Sequence, residues 1–169
     1  MIKARIFSVM YMRETSQYLV TLEEVAGCRL VPIWIGTSEG ASITAALSKE
    51  LFPRPLTHDL IVNIIKTINA EIKSIIISDL IEEVFFAKIL LKLDDKEYSI
   101  DARPSDSLAI AIRLDIPVFI DEKVFKKAPD IKKPISGKEI EKFRTESGKL
   151  TVNDFIKNQK DGENHKTCS

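Results

Sequence analysis

The apolar positions of this chain change rhythm in the same order twice: a strand-like run, then a helical one, then both again. Residues 2–12 alternate in part and are rich in β-formers. Residues 17–25 and 29–35 continue the strand pattern, with turns at Arg13-Glu14-Thr15-Ser16 and Ala26-Gly27-Cys28. The third run, RLVPIWI, is apolar enough for burial on both faces at its end. Pro32 has no N–H to give a ladder, which places a sheet edge or a bulge there. Ile43, Ala46, Leu47 and Leu51 then recur at helical spacing and predict a helix packed on the sheet by that face. Thr37 or Ser38 is expected to cap it, and Glu39 falls in its first turn, where a carboxylate suits the helix dipole. Phe52-Pro53-Arg54-Pro55 ends the helical pattern. Thr57 is expected to cap a second helix, whose apolar face is Leu60, Ile61, Ile64, Ile65 and Ile68.

The second half repeats the rhythm. Residues 71–80, 84–93 and 96–101 read as strands, the β-branched run Ile75-Ile76-Ile77 favouring strand over helix. Pro104 or Ser105 opens a helix to Leu114 that is apolar nearly all round and therefore central and buried. Residues 116–120 form a short last strand. An offset of 67 residues places Ser38-Glu39 on Ser105-Asp106 and Ile43 on Ile110. The expected fold is therefore α+β: duplicated βββα units forming a mixed, largely antiparallel sheet with packed helices, plus short C-terminal helices at 137–144 and 151–160. Residues 1–122 form the domain, 123–160 a basic segment with those short helices, and 161–169 a polar tail expected to be disordered.

Composition narrows the function classes. The 169 residues are 44% hydrophobic, enough for one domain with a real core. Lys plus Arg equals Asp plus Glu at 25 each, which counts against an indiscriminate polyanion binder but leaves room for a local basic patch. The charge is uneven: from Asp121 onward there are 12 basic and 9 acidic residues, and residues 123–133 hold five Lys and one Asp. Cys28 and Cys168 form no CxxC and no zinc spacing. The N-terminus lacks the apolar core and cleavage site of a signal peptide, and no apolar run approaches a membrane span. The simplest compartment is the cytoplasm, with no membrane partner.

Candidate chemistry gathers at the two strand-to-helix junctions, where free backbone N–H groups make ligand sites common. Glu39 and Asp106 read either as a carboxylate pair for a divalent cation or an activated water, or as ordinary first-turn helix acids. Arg54, stiffened between two prolines, reads as a phosphate fork or as a tie to an internal acid such as Asp59 or Asp101. His58 with Asp59 reads as a general base or metal ligand, or as a helix start with an exposed His. Asp101, Arg103, Ser105 and Asp106 crowd one turn more densely than a cap requires. Ser38 and Ser105 lack a nucleophile elbow, and no phosphate-binding glycine loop occurs. Trp34 reads as core or as a base-stacking surface, and the Lys-rich run as a solvated face or a phosphate contact.

Three of these stretches, VPIWIGTSEGASI, FPRPLTHDLI and IDARPSDSLAIAI followed by IPVFID, resemble the bifunctional nuclease domain family in the right order. The resemblance covers residues 3–122, with a weaker likeness in EKFRTESGKLTVNDF; Gly40 stands where the family often has Ala. It implies an α+β homodimer that cleaves both DNA and RNA. On that basis Glu39, His58, Asp59 and Asp106 are the expected catalytic residues, with Glu39, Asp101 and Asp106 holding Mg²⁺ or Mn²⁺. Arg54 and Arg103 are expected to hold the scissile phosphate, and His58 with Asp59 to assist proton transfer. The alternative is a non-enzymatic module that recognises an anionic ligand or a protein partner through the same junctions.

Overall fold

The computed structural model describes residues 1–132. The expected helices at 137–144 and 151–160 and the tail at 161–169 lie outside them. Strands β1 (Ile2–Met12), β2 (Gln17–Glu24) and β3 (Arg29–Ile35) precede helices α1 (Thr37–Leu47) and α2 (Thr57–Thr67). Strands β4 (Glu71–Ile81), β5 (Val84–Leu93) and β6 (Lys96–Ala102) precede α3 (Pro104–Leu114). The described chain ends with β7 (Val118–Ile120), α4 (Glu122–Lys127) and β8 (Ile131–Lys132). The strands form one mixed sheet in the order β6-β5-β4-β7-β1-β2-β3-β8.

The expected duplication is visible in this order. β1-β2-β3 and β4-β5-β6 are two antiparallel meanders on either side of β7, which pairs antiparallel with β1 and parallel with β4. Helices α1 and α3, the fourth elements of the two units, pack against each other and on the sheet. Their contact fixes the site, because it brings the two helix starts together. Helix α3 is the central one: Pro104, Ser105 and Ser107 through Ala111 are all buried. Ile43, Ile75, Ile77, Leu108 and Ile120 are sealed from solvent in the same core. Among the described residues β8 pairs with Arg29 and Leu30 and stops short of Pro32, which has no N–H to give on that side of β3.

Several local expectations differ. Helix α1 stops at Leu47, short of the prolines, because Lys49 takes a left-handed conformation (φ 52°) and Glu50 N–H turns back to Ala45 O at 3.0 Å. That closure satisfies the last carbonyls. Leu47 and Leu51 consequently leave the core face, Leu51 being 95% exposed, and Ala45 is buried in their place. Asn69 and Asp115 end α2 and α3 in the same way. Neither Thr37 nor Thr57 is an N-cap: Gly36 and Leu56 occupy those positions. Thr37 Oγ1 instead donates to Ser16 O, and the Asp59 carboxylate accepts from Leu56 N–H at 2.9 Å. On α2 the buried side is His58 and Val62, while Leu60, Ile64 and Ile68 are about half exposed.

Gly40 is required by a close approach. A Cβ at that position would lie 2.1 Å from the Tyr18 ring, at its attached carbon, which cannot swing away. Gly40→Ala is expected to destabilise the fold by about 1–3 kcal/mol through overpacking, seen as a lower urea midpoint at unchanged slope. A midpoint at or above that of the native chain would show that Tyr18 yields freely.

Candidate functional site

The contact of α1 with α3 sets the two Ser-acid junctions side by side. Arg103, at the N-cap of α3, extends its guanidinium between them. Its Nε donates to Asp106 Oδ2 at 2.7 Å and its Nη2 to Asp106 Oδ1 at 3.1 Å, while Nη1 lies 2.9 Å from Glu39 Oε1. Glu39 reaches this place by lying over Gly36, where a Cβ would meet its Oε2 at 2.5 Å. The Arg103 side chain is still 65% exposed. A guanidinium has five N–H donors, so further N–H groups on Nη1 and Nη2 remain for an anion.

Behind this surface cluster runs a partly buried relay. Asp106 Oδ1 also accepts from His58 Nε2 at 3.2 Å, and His58 Nδ1 lies 2.8 Å from Ser42 Oγ. An ionised carboxylate only accepts, so Nε2 carries a proton, and in the neutral tautomer that this assigns Nδ1 accepts from the Ser42 hydroxyl. Ser42 Oγ in turn accepts from Arg113 Nη2 at 3.1 Å, and Arg113 Nε pairs with Asp59 Oδ1 at 2.5 Å. The group types match a Ser-His-Asp hydrolase triad with the ring nitrogens exchanged. Ser42 is held by Arg113, however, and does not line the groove described next, so the chain reads as a positioning network.

Electrostatics agree with an ionised Asp106. Burial, the largest single influence, pushes its carboxyl upward, but the hydrogen bonds from Arg103 and then His58 together hold it below the usual carboxylate range. Asp59 is likewise depressed: burial raises it, while Arg113 and the Leu56 N–H outweigh that. Such groups stabilise the fold fully above an unfolded value of about 3.9, and that stability is lost as pH falls through the lower folded values. Urea midpoints are expected to stay level from about pH 7 to 5 and to fall below about pH 4. Asp59→Asn with Asp106→Asn should make that acid slope shallower; an unchanged slope would place the acid sensitivity elsewhere.

A groove of about 940 Å³ opens beside the cluster, lined by Gly36, Glu39, Arg103 and Ser105 from the junctions and by Trp34 and Phe85 from the sheet. Lys126 and Lys127 stand at its α4 side and Glu82 and Glu83 at the β4–β5 turn. Trp34, read as core or as a stacking surface, is partly exposed here.

The structure thus unites Glu39, His58, Arg103 and Asp106, and joins Asp59 to them through Arg113 and Ser42. Two expected members stand apart. Arg54 is exposed in the loop between α1 and α2, and Asp59 is held by Arg113 instead. Asp101 is exposed on β6 opposite Lys88. Among the described residues no three His, Cys, Asp or Glu side chains are placed to hold a metal ion. Glu39 and Asp106 already converge on a cation, Arg103, so Glu39, Asp101 and Asp106 do not fit a shared divalent site as arranged. Of the Lys-rich run, Lys123 and Lys127 are spent on Asp79, at 2.9 and 2.7 Å. Sequence reasoning missed Ser42 and Arg113. The available signal was Arg113 itself, a lone cation near the end of an otherwise apolar helix.

An α+β domain with an Arg-carboxylate cluster at paired helix starts beside a groove is the class these observations define. The bifunctional nuclease domain profile matches residues 20–132, and the chain belongs to that family. It is 34% identical over 162 residues to an uncharacterized protein of Mycobacterium tuberculosis, covering 90% of this chain and 97% of that one. Bifunctional nuclease 2 of Arabidopsis thaliana is 26% identical over 110 residues, 63% of this chain and 33% of the plant protein. Bifunctional nuclease 1 of Oryza sativa subsp. indica is 22% identical over 98 residues, 56% of this chain and 30% of that protein. No described helix is long and apolar enough to cross a membrane.

Proposed function

We propose that this chain is a cytoplasmic nuclease of low sequence specificity that hydrolyses phosphodiesters in DNA and RNA at the Arg103 cluster. The observation that carries the reading is the Arg103 fork: fixed by Asp106 and Glu39, largely exposed, with N–H groups to spare at the mouth of a groove. A preorganised guanidinium stabilises the charge that builds on a phosphate during attack. Glu39, which lines the groove, is the general base of this reading and takes a proton from the attacking water. His58 acts through Asp106, keeping it ionised and aimed at Arg103. Asp59 acts at one further remove, by holding Arg113. No step is assigned to a metal ion.

The test is cleavage of labelled single-stranded DNA and RNA by highly purified protein, with Mg²⁺, with Mn²⁺ and with chelator. A Glu39→Ala/Asp106→Ala variant is prepared identically. Cleavage by the native chain and none by the folded variant supports the reading; equal cleavage by both would falsify it.

A second reading is favoured by one observation. Asp106, His58, Ser42, Arg113 and Asp59 are all mutually paired, as expected of a structural network in a non-enzymatic binding module. Oligonucleotide binding without cleavage under every metal condition selects it.

The homodimer belongs to the same proposal. Leu60, Ile64 and Ile68 follow one another at helical spacing along the exposed side of α2, a row suited to a second copy. Ile64→Asp is expected to halve the mass measured by light scattering while the melting of the monomer stays cooperative. A native chain that is already monomeric at high concentration removes the dimer.

A further inference from the structure

We propose that the groove beside Arg103 is a subsite for unstacked bases, with Trp34 as its stacking surface, so that the protein engages single strands and not duplexes. The inference rests on the nuclease reading and adds the groove's specificity to it. Continuity is the first argument: Glu39 and Arg103 belong both to the groove and to the cluster. A strand held at Arg103 therefore has its neighbouring nucleotide in the groove.

Chemistry is the second argument. A nucleotide is flat and apolar on its base faces, rich in amino and carbonyl groups at its base edge, and anionic at its phosphate. The groove's lining includes the aromatic side chains Trp34 and Phe85, the carboxylates Glu82 and Glu83 and the cations Lys126 and Lys127. Aromatic stacking tolerates any base, because each has a π-face. Carboxylates accept from exocyclic amino groups such as cytosine N4. Lys127 is shared with Asp79, whereas Lys126 is exposed and has no such tie among the described residues. A duplex keeps its base faces stacked on one another and has none to offer Trp34.

Backbone conformation at the β4–β5 turn is the third argument. Glu82 and Glu83 are the two turn residues between β4 and β5, with φ of 47° and 65°. Left-handed conformations at both positions of a two-residue hairpin favour Asn-Gly, and two Glu there hold local strain. The strained turn carries its carboxylates at the groove, which a turn chosen for stability alone would not need.

Trp34 is the single Trp of the whole chain, so its emission reports the groove directly. The full chain is titrated with oligodeoxycytidine of about ten nucleotides, within the range of single-strand site sizes, its linkages made phosphorothioate to resist turnover. Saturable quenching is expected, with a duplex of the same length binding at least about tenfold more weakly. In anisotropy titrations Trp34→Ala is expected to weaken binding about 5- to 100-fold, and Trp34→Phe to stay within about threefold of native because a ring remains. Lys126→Ala should reduce the magnitude of the salt slope by about 0.7. Absent quenching, equal quenching by the duplex, or native affinity in Trp34→Ala each overturns the proposal. Should Trp34→Ala fail to fold, the quenching titration and Trp34→Phe still decide. Quenching without cleavage removes the nuclease reading and leaves the base subsite. Cleavage with an unchanged KM in folded Trp34→Ala does the reverse.

Discussion

Arg103→Ala is expected to lower the rate of phosphodiester cleavage about 100- to 1,000-fold, the usual cost of removing one preorganised donor to a developing oxyanion. The loss should fall on kcat more than on KM, because the guanidinium is aimed at charge that grows during the reaction. Arg103→Lys is expected to recover little. A lysine ammonium is a single point charge and cannot bridge Asp106 bidentately while facing Glu39. Stability should change far less than activity, since Arg103 is mostly exposed and surface ion pairs contribute at most about 1 kcal/mol. Initial rates and urea melts on the same preparations check both halves. A folded Arg103→Ala enzyme cutting at the native rate places the chemistry elsewhere.

The second large effect is on stability. Arg113→Ala is expected to cost about 2 kcal/mol, less than the roughly 3–5 kcal/mol of a fully buried pair broken from one side, because the Asp59 side chain is 34% exposed. The Arg113 side chain is only 10% exposed, and it serves Asp59, Ser42 Oγ and the carbonyls of Ser42 and Ala109 at once. Removing it leaves the Asp59 charge and the Ser42 hydroxyl without that partner between α1, α2 and α3. The melting temperature should fall by about 4–8 °C for a domain of this size. Asp59→Asn in the Arg113→Ala background should add little further loss, because the shared interaction is already gone. Two independent, additive losses in that double-mutant cycle would show that the pair does not act as a unit.

The fold was largely legible. Each meander strand of the two halves was marked by its apolar pattern within one or two residues, and the offset of 67 residues between Ser-acid junctions marked α1 and α3 as equivalent elements. The central burial of α3 followed from a helix apolar nearly all round. Helix ends were less legible. Lys49, Asn69 and Asp115 turn left-handed without a glycine to announce it, so α1 stopped before its prolines and Leu51 fell outside the core.

Within the site, the chain by itself determined which residue types stand at the junctions: Glu39 and Asp106 one helical turn from their starts, Arg103 before the buried helix, His58 opening α2. It determined these because capping, dipole and turn preferences act over a few residues and are written locally. Which of them meet was decided only in three dimensions. Packing of α1 on α3 closes Glu39, Arg103 and Asp106 into one cluster and seats His58 between Ser42 and Asp106. The same packing leaves Arg54 and Asp101 outside and recruits Arg113, 54 residues beyond its partner Asp59. Side-chain contacts across that distance depend on how helices sit on a shared sheet, and no local pattern of apolar and polar residues encodes them.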